Sequence, residues 1–174
     1  MTATASPPVL SSALRAILAR CRTLAVVGLS PQWHRPSHFA AQYMQAHGYR
    51  IVPVNPLVAK DGGTILGETA YASVTEAAQA LAAQGRTIDM VDCFRRAEDI
   101  PPLAEEAIAI GAQCLWLQLG VVNEEAAAKA RAAGLDVVQD RCVKIEHARL
   151  FGGLGWVGVN TKVITAKRAR QLPY

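Results

Sequence analysis

The residues with the most chemical potential in this chain sit in one stretch, Gly28-Leu29-Ser30-Pro31-Gln32-Trp33-His34-Arg35-Pro36-Ser37-His38. Gly28 has no Cβ, so a backbone can pass close to a ligand there. Pro36 suits the first turn of a helix, where its missing N–H would have no intrahelical partner. Ser37 can offer a hydroxyl beside the free backbone N–H groups of a helix start, and Arg35 adds a fixed cation. That combination favours an anion, with phosphate the obvious choice; an ordinary capped helix with a solvated arginine would leave the same trace. His34 and His38 flank the stretch as ligand contacts or exposed histidines, and Trp33 either stacks on a ligand or covers the helix end.

A second set, Asp140-Arg141-Cys142 with Glu146-His147, has the residue types of a Cys–His nucleophilic pair. A histidine five residues after a cysteine faces it only in some local conformations. The set therefore reads first as structural, with Arg141 paired to Asp140 or Glu146 and Cys142 packed. The other cysteines, Cys21, Cys93 and Cys114, are far apart and form no C-x-x-C pair, so neither a metal cluster nor a disulfide framework is supported. Glu68 and Tyr71 read as turn packing, Trp116 as core, and Cys93 as a buried thiol at a strand end.

These residues need elements to place them. Leu10, Leu14, Ile17 and Leu18 make a helical stripe over residues 10–22. Thr23–Gly28 is a short apolar run ending in glycine, as a buried parallel strand does. Ser37 to His47 reads as a helix closed by Gly48, and Tyr49–Val54 as a strand stopped by Asn55-Pro56. Pro53 lacks a ladder donor, which puts that strand near an edge. Ser73 caps a helix to about Ala83. Ile88–Cys93 and Cys114–Leu117 are strands separated by the helix Glu98–Ile110, which carries Pro101-Pro102 in its first turn. Asn123 caps Glu124–Ala133, and Asp136–Gln139 is the last strand. About five strand–helix alternations specify right-handed crossovers and a doubly wound, Rossmann-like parallel α/β sheet in a single domain.

Ligands of such sheets sit outside the carboxyl ends of the strands. Here those ends are Gly28–Pro31, Asn55-Pro56, Phe94-Arg95-Arg96, Gln118-Leu119-Gly120 and Asp140-Arg141-Cys142. A nicotinamide or flavin dinucleotide is disfavoured, because the G-x-G-x-x-G run is missing and Asn55 stands where an acid should bind the ribose. The Walker lysine is missing too. A phosphate-bearing ligand other than NAD fits better.

Composition narrows the class. The chain has 174 residues, 51% of them apolar, which excludes intrinsic disorder. No window reaches a membrane span, and the N-terminus does not read as a secretory signal, so a soluble cytoplasmic protein is expected, without membrane contact. The net charge of +4 comes from the end of the chain. After His147 there are five basic residues (Arg149, Lys162, Lys167, Arg168, Arg170) and no acidic one, so residues 1–147 carry 13 basic against 14 acidic side chains, a net of −1. Such a body offers no face for nucleic acid.

The runs VVGLSP, RPSHFAAQYMQAHGYRIVPVNP, ILGETAYASV, IDMVDCFRR, WLQLGVVNEEAAAKARAAGLDVVQDRC and KIEH together resemble the small single-domain CoA-binding protein family. That family is similar to the CoA-binding domain of the succinyl-CoA synthetase α subunit and of NDP-forming acyl-CoA synthetases. The resemblance covers about residues 20–148. It implies coenzyme A held across the strand ends, with Gly28, Ser30, Arg35, Pro36 and Ser37 on the phosphate side, Asn55 and Pro56 beside the adenosine, and Phe94, Arg95, Gln118 and Gly120 along the pantetheine channel or its mouth. The chain is expected to divide into three units: an N-terminal helix (1–22), the CoA-binding domain (23–148) and a basic, Gly-rich tail (149–174) outside the resemblance. The expected activity is binding of CoA or acyl-CoA without catalysis, with a protein partner or a second copy as further contacts. The alternatives are an enzyme on CoA thioesters using Cys142 and His147, then an NAD-linked oxidoreductase.

Overall fold

The β-branched, apolar run Thr23–Val27 (β1) lies inside a five-stranded parallel sheet, in a computed structural model that describes residues 11–152. Its partners are Arg50–Val54 (β2) and Met90–Cys93 (β5), followed by Cys114–Leu117 (β6) and Asp136–Val138 (β7), in the order β2-β1-β5-β6-β7. The register sets Val27 against Val54 on one side and Cys93 on the other, and Asp92 against Trp116. β2 is an edge strand, as Pro53 requires. The Pro53 carbonyl accepts from Tyr71 N at 2.9 Å, from a short hairpin of Thr64–Ile65 (β3) and Glu68–Thr69 (β4).

Helices cover both faces. Ser11–Arg20 (α1), Pro36–Ala46 (α2) and Val143–Phe151 (α7) enclose one core with Leu24, Met90, Trp116 and Val138. Val74–Ala82 (α4), Ile100–Ala109 (α5) and Glu124–Ala132 (α6) enclose the other with Val52, Val91 and Leu115. Local chemistry sets the boundaries. Pro36 opens α2, the Ser73 side chain accepts from Glu76 N, and that of Asn123 from Ala126 N. Gly48 leaves α2 at φ +84°.

Two helices go beyond the sequence reading. Pro56–Ala59 (α3) is one turn capped by Asn55. α7 runs to Phe151, past residue 148, and folds because its Glu146 is fully buried between Arg141 and Arg149, at 3.1 and 2.6 Å. The tail from residue 153 and the first ten residues, including Leu10 of the helical stripe, lie outside the described residues.

Candidate functional site

The chain leaves β1 toward β2 and returns past it to β5, so the loops after β1 and β5 diverge at their carboxyl ends. This is the switch point where an open α/β sheet has its crevice. A cleft of about 510 Å³ lies there. Val27 and Gly28 form its floor, Val54–Leu57 one wall, Ala72–Val74 and the α5 residues Leu103 and Glu106 the other, and Arg95 comes in from the β5 loop.

Gly28 makes the geometry. It has φ +80°, and a Cβ there would lie 2.6 Å from the Phe94 carbonyl oxygen and 3.0 Å from Arg95 Cδ. The close approach at Gly28 is thus made by the β5 loop, which carries Arg95 to the cleft. Asn55 Nδ2 donates to the Leu29 carbonyl at 2.9 Å, and Oδ1 accepts from Leu57 N and Val58 N. It holds Pro56 and the exposed Leu57 in the wall. Glu106 Oε2 accepts from Thr75 N and Thr75 Oγ1 at 2.8 and 2.9 Å, so a carboxylate already occupies the start of α4. Arg95, 3.5 Å from Asp99 and half-exposed, is the cation of the cleft.

The other expected residues form two further groups along the same sheet edge. At the start of α2, Ser37 Oγ is buried and accepts from Ser30 N at 3.0 Å, Ser30 Oγ accepts from Gln32 N, and His38 Nδ1 lies 2.9 Å from the Ser30 carbonyl. Arg35 precedes Pro36 with its guanidinium exposed, and its Nε donates to Gln32 Oε1. At the β5 and β6 tips, Phe94 packs partly against the α2–α7 core, and Gly120 N donates to Asp140 Oδ1 at 2.6 Å. Gln118 is buried and donates to Asp92 Oδ1 at 2.6 Å. The cleft therefore unites Gly28, Asn55, Pro56 and Arg95, and leaves Ser30, Arg35, Pro36, Ser37, Phe94, Gln118 and Gly120 outside its lining.

Asp92 is a group the sequence reading missed. Burial pushes its carboxyl up to about 7, against the stabilising hydrogen bond from Gln118. The only signal was an acid inside an apolar strand run. In the Cys–His set, His147 Nδ1 lies 3.1 Å from Tyr43 Oη, and its ring packs against Tyr49, His47 and Phe151. Burial and the neighbouring His47 and Arg22 hold His147 below its usual range. Cys142 precedes α7, and burial raises its thiol despite the Ile145 and Lys144 N–H groups. Cys21, Cys93 and Cys114 are buried free thiols. Among the described residues no three His, Cys, Asp or Glu side chains are placed to share a metal ion, and no helix is long and apolar enough to cross a membrane.

Comparison with known proteins adds the chemistry. Residues 22–148 match the family described as CoA binding domain. The chain is 39% identical over 135 residues to the uncharacterized protein YneT of Bacillus subtilis (strain 168), covering 78% of this chain and 92% of that one. Among solved structures, it is similar to cell-free ID.343 from Thermus thermophilus (34% identity, TM-score 0.72, 82% of this chain and all of that one). It is also similar to a hypothetical protein from Pyrococcus horikoshii OT3 (35% identity, TM-score 0.74, 83% and 94%). With most of its length matched and the strand-end cleft in place, the chain belongs to the CoA-binding domain family.

Proposed function

We propose that this chain binds coenzyme A or an acyl-CoA without turning it over, across the carboxyl ends of β1, β2 and β5. The observation that carries the reading is the cleft itself, with Gly28, Asn55, Pro56 and Arg95 around one volume at the switch point. Apolar side chains at Val27, Val54, Pro56, Leu57, Val74 and Leu103 beside the Arg95 guanidinium suit a nucleotide whose base is buried and whose phosphates reach solvent. The phosphates extend toward the start of α2, where Arg35 stands exposed. The pantetheine arm then lies along Phe94, Gln118 and Gly120. Binding without turnover is supported by the surroundings of His147, whose Nδ1 meets Tyr43, and by the raised Cys142 thiol. Free, buried thiols accord with a reducing, cytoplasmic setting.

Calorimetric titration with CoA, acetyl-CoA, NAD and ATP tests the reading. Saturable binding of CoA, weakened by roughly 1.5–3 kcal/mol in Arg35→Ala as for a lost charged hydrogen bond, is expected. Tighter binding of NAD, or no binding of CoA, would mean that the fold holds a different ligand.

A further inference from the structure

A second, smaller cavity lies on the outer edge of β2 and shares no lining residue with the cleft. Its volume is about 140 Å³, and its polar walls are made by Arg50, Glu68, Tyr71, Gln84 and Arg86 around the backbone of Ile51. Neither guanidinium has an ion pair or hydrogen-bond partner for its side chain among the described residues, and Glu68 has none either. Arg20, Arg95, Arg96, Arg141 and Arg149 meet carboxylates, whereas these two share one concavity without such a partner.

The backbone beside them is also open. Arg50 N donates to the Arg22 carbonyl, and the Val54 carbonyl accepts from Gly28 N, so residues 50, 52 and 54 face β1. Parallel pairing alternates, and residues 51 and 53 therefore turn outward. The Pro53 carbonyl is taken by Tyr71 N, which leaves the N–H and C=O of Ile51 as the next rung of an unfinished edge. A strand end added here would bring its terminal group beside Arg50 and Arg86. Charge selects that group. Two guanidiniums and one carboxylate leave a net of one positive charge, which matches a monoanionic carboxylate; a dianionic phosphate would also face Glu68.

We propose that this cavity takes the C-terminal carboxylate of an extended peptide, which pairs with the free edge of β2 at Ile51 and is held by Arg50 and Arg86. Main-chain pairing supplies the register and the guanidiniums supply the end-specific recognition.

The test is an amide-shift titration of the isotope-labelled full chain with N-acetyl-trialanine, its C-terminal amide and inorganic phosphate, on the wild type, Arg86→Gln and Arg50→Gln/Arg86→Gln. The proposal predicts saturable shifts at Ile51, Thr69 and Tyr71 with the free acid. Affinity should be at least about tenfold lower for the C-terminal amide and for the double variant, as for a lost charged contact. Arg86→Gln, an exposed change, should show a partial loss, and the amide-peak dispersion of each variant reports whether the fold is intact. Equal binding of the amide would overturn the carboxylate as the recognised group. Phosphate binding as tightly to the same amides would make this a simple oxyanion pocket, and no shift with the acid would leave the edge unused; both also overturn the proposal. None of these outcomes depends on whether the cleft binds CoA.

Discussion

Gln118 Nε2 donates to Asp92 Oδ1 at 2.6 Å, and both side chains are buried beneath the tips of β5 and β6. Among the described residues no cation joins them, and the Gln118 amide supports a carboxyl that burial has raised to about 7 from its ordinary 3.8. The folded state then holds a proton more tightly than the unfolded chain. Stability conferred by Asp92 is full below the unfolded value and is lost as pH rises through the folded one. The loss proceeds at no more than about 1.4 kcal/mol per pH unit. Asp92→Asn, which keeps an oxygen for Gln118, should remove this slope and be more stable than the wild type at about pH 8. Urea midpoints at about pH 5 and about pH 8 measure it; identical slopes for the two proteins would show that Asp92 does not titrate there.

His147 acts with the opposite sign. Burial, His47 and Arg22 lower its folded pKa, so stability is present above the unfolded value of about 6.5 and is lost as pH falls through the folded one. The groups around it are Tyr43 and His47 from α2 and its flank, Tyr49 and Arg22 beside the sheet, and Phe151 under Arg15. Among the described residues no carboxylate is paired with His147 to take up the added charge. His147→Gln should flatten the acid limb of stability without altering the limb assigned to Asp92.

Glu146 holds α7 through two guanidiniums that each keep some exposure to water. Glu146→Gln leaves both without a counter-charge around a buried polar side chain. The cost should fall at the low end for a broken buried pair, about 2–3 kcal/mol, because water screens the arginines. A shift in denaturation midpoint below about 0.5 kcal/mol would place Glu146 among surface-like contacts.

Gly28 and Gly111 both have positive φ, at +80° and +70°, yet only Gly28 faces a backbone atom where a Cβ would be. Gly111→Ala carries the strain alone, about 1 kcal/mol. Gly28→Ala adds contact with the Phe94 carbonyl and must push the β5 loop outward. It should cost more stability than Gly111→Ala and weaken CoA binding as Arg95 moves. Equal losses in both proteins would mean that the loop yields freely.

The alternation of strands and capped helices was readable because parallel strands buried on both faces are apolar runs and their helices carry Ser73, Asn123 and Pro36 at the starts. α7 was not, since Lys144, Glu146 and Arg149 interrupt its apolar stripe and only tertiary pairing makes Glu146 an interior residue. The strand ends pointed to the sheet edge at which the cleft lies. The cleft walls at Ala72–Val74, Leu103 and Glu106 come from the return of the chain past β1, a fact of strand order that no local pattern carries. Asn55 read as a ligand contact by type and position; it lines the cleft and also caps α3 and donates to Leu29, a structural role that no local pattern carries. Asp92 became visible only once β5 and β6 were paired.

The most direct test of the central claim is an amide-shift map of the labelled protein during titration with CoA. Binding in the cleft predicts saturable changes at Gly28, Asn55, Ala72, Val74 and Arg95, with Gly111 and Gly134 unmoved. A map without changes at the cleft residues, or one confined to another part of the surface, would contradict the account.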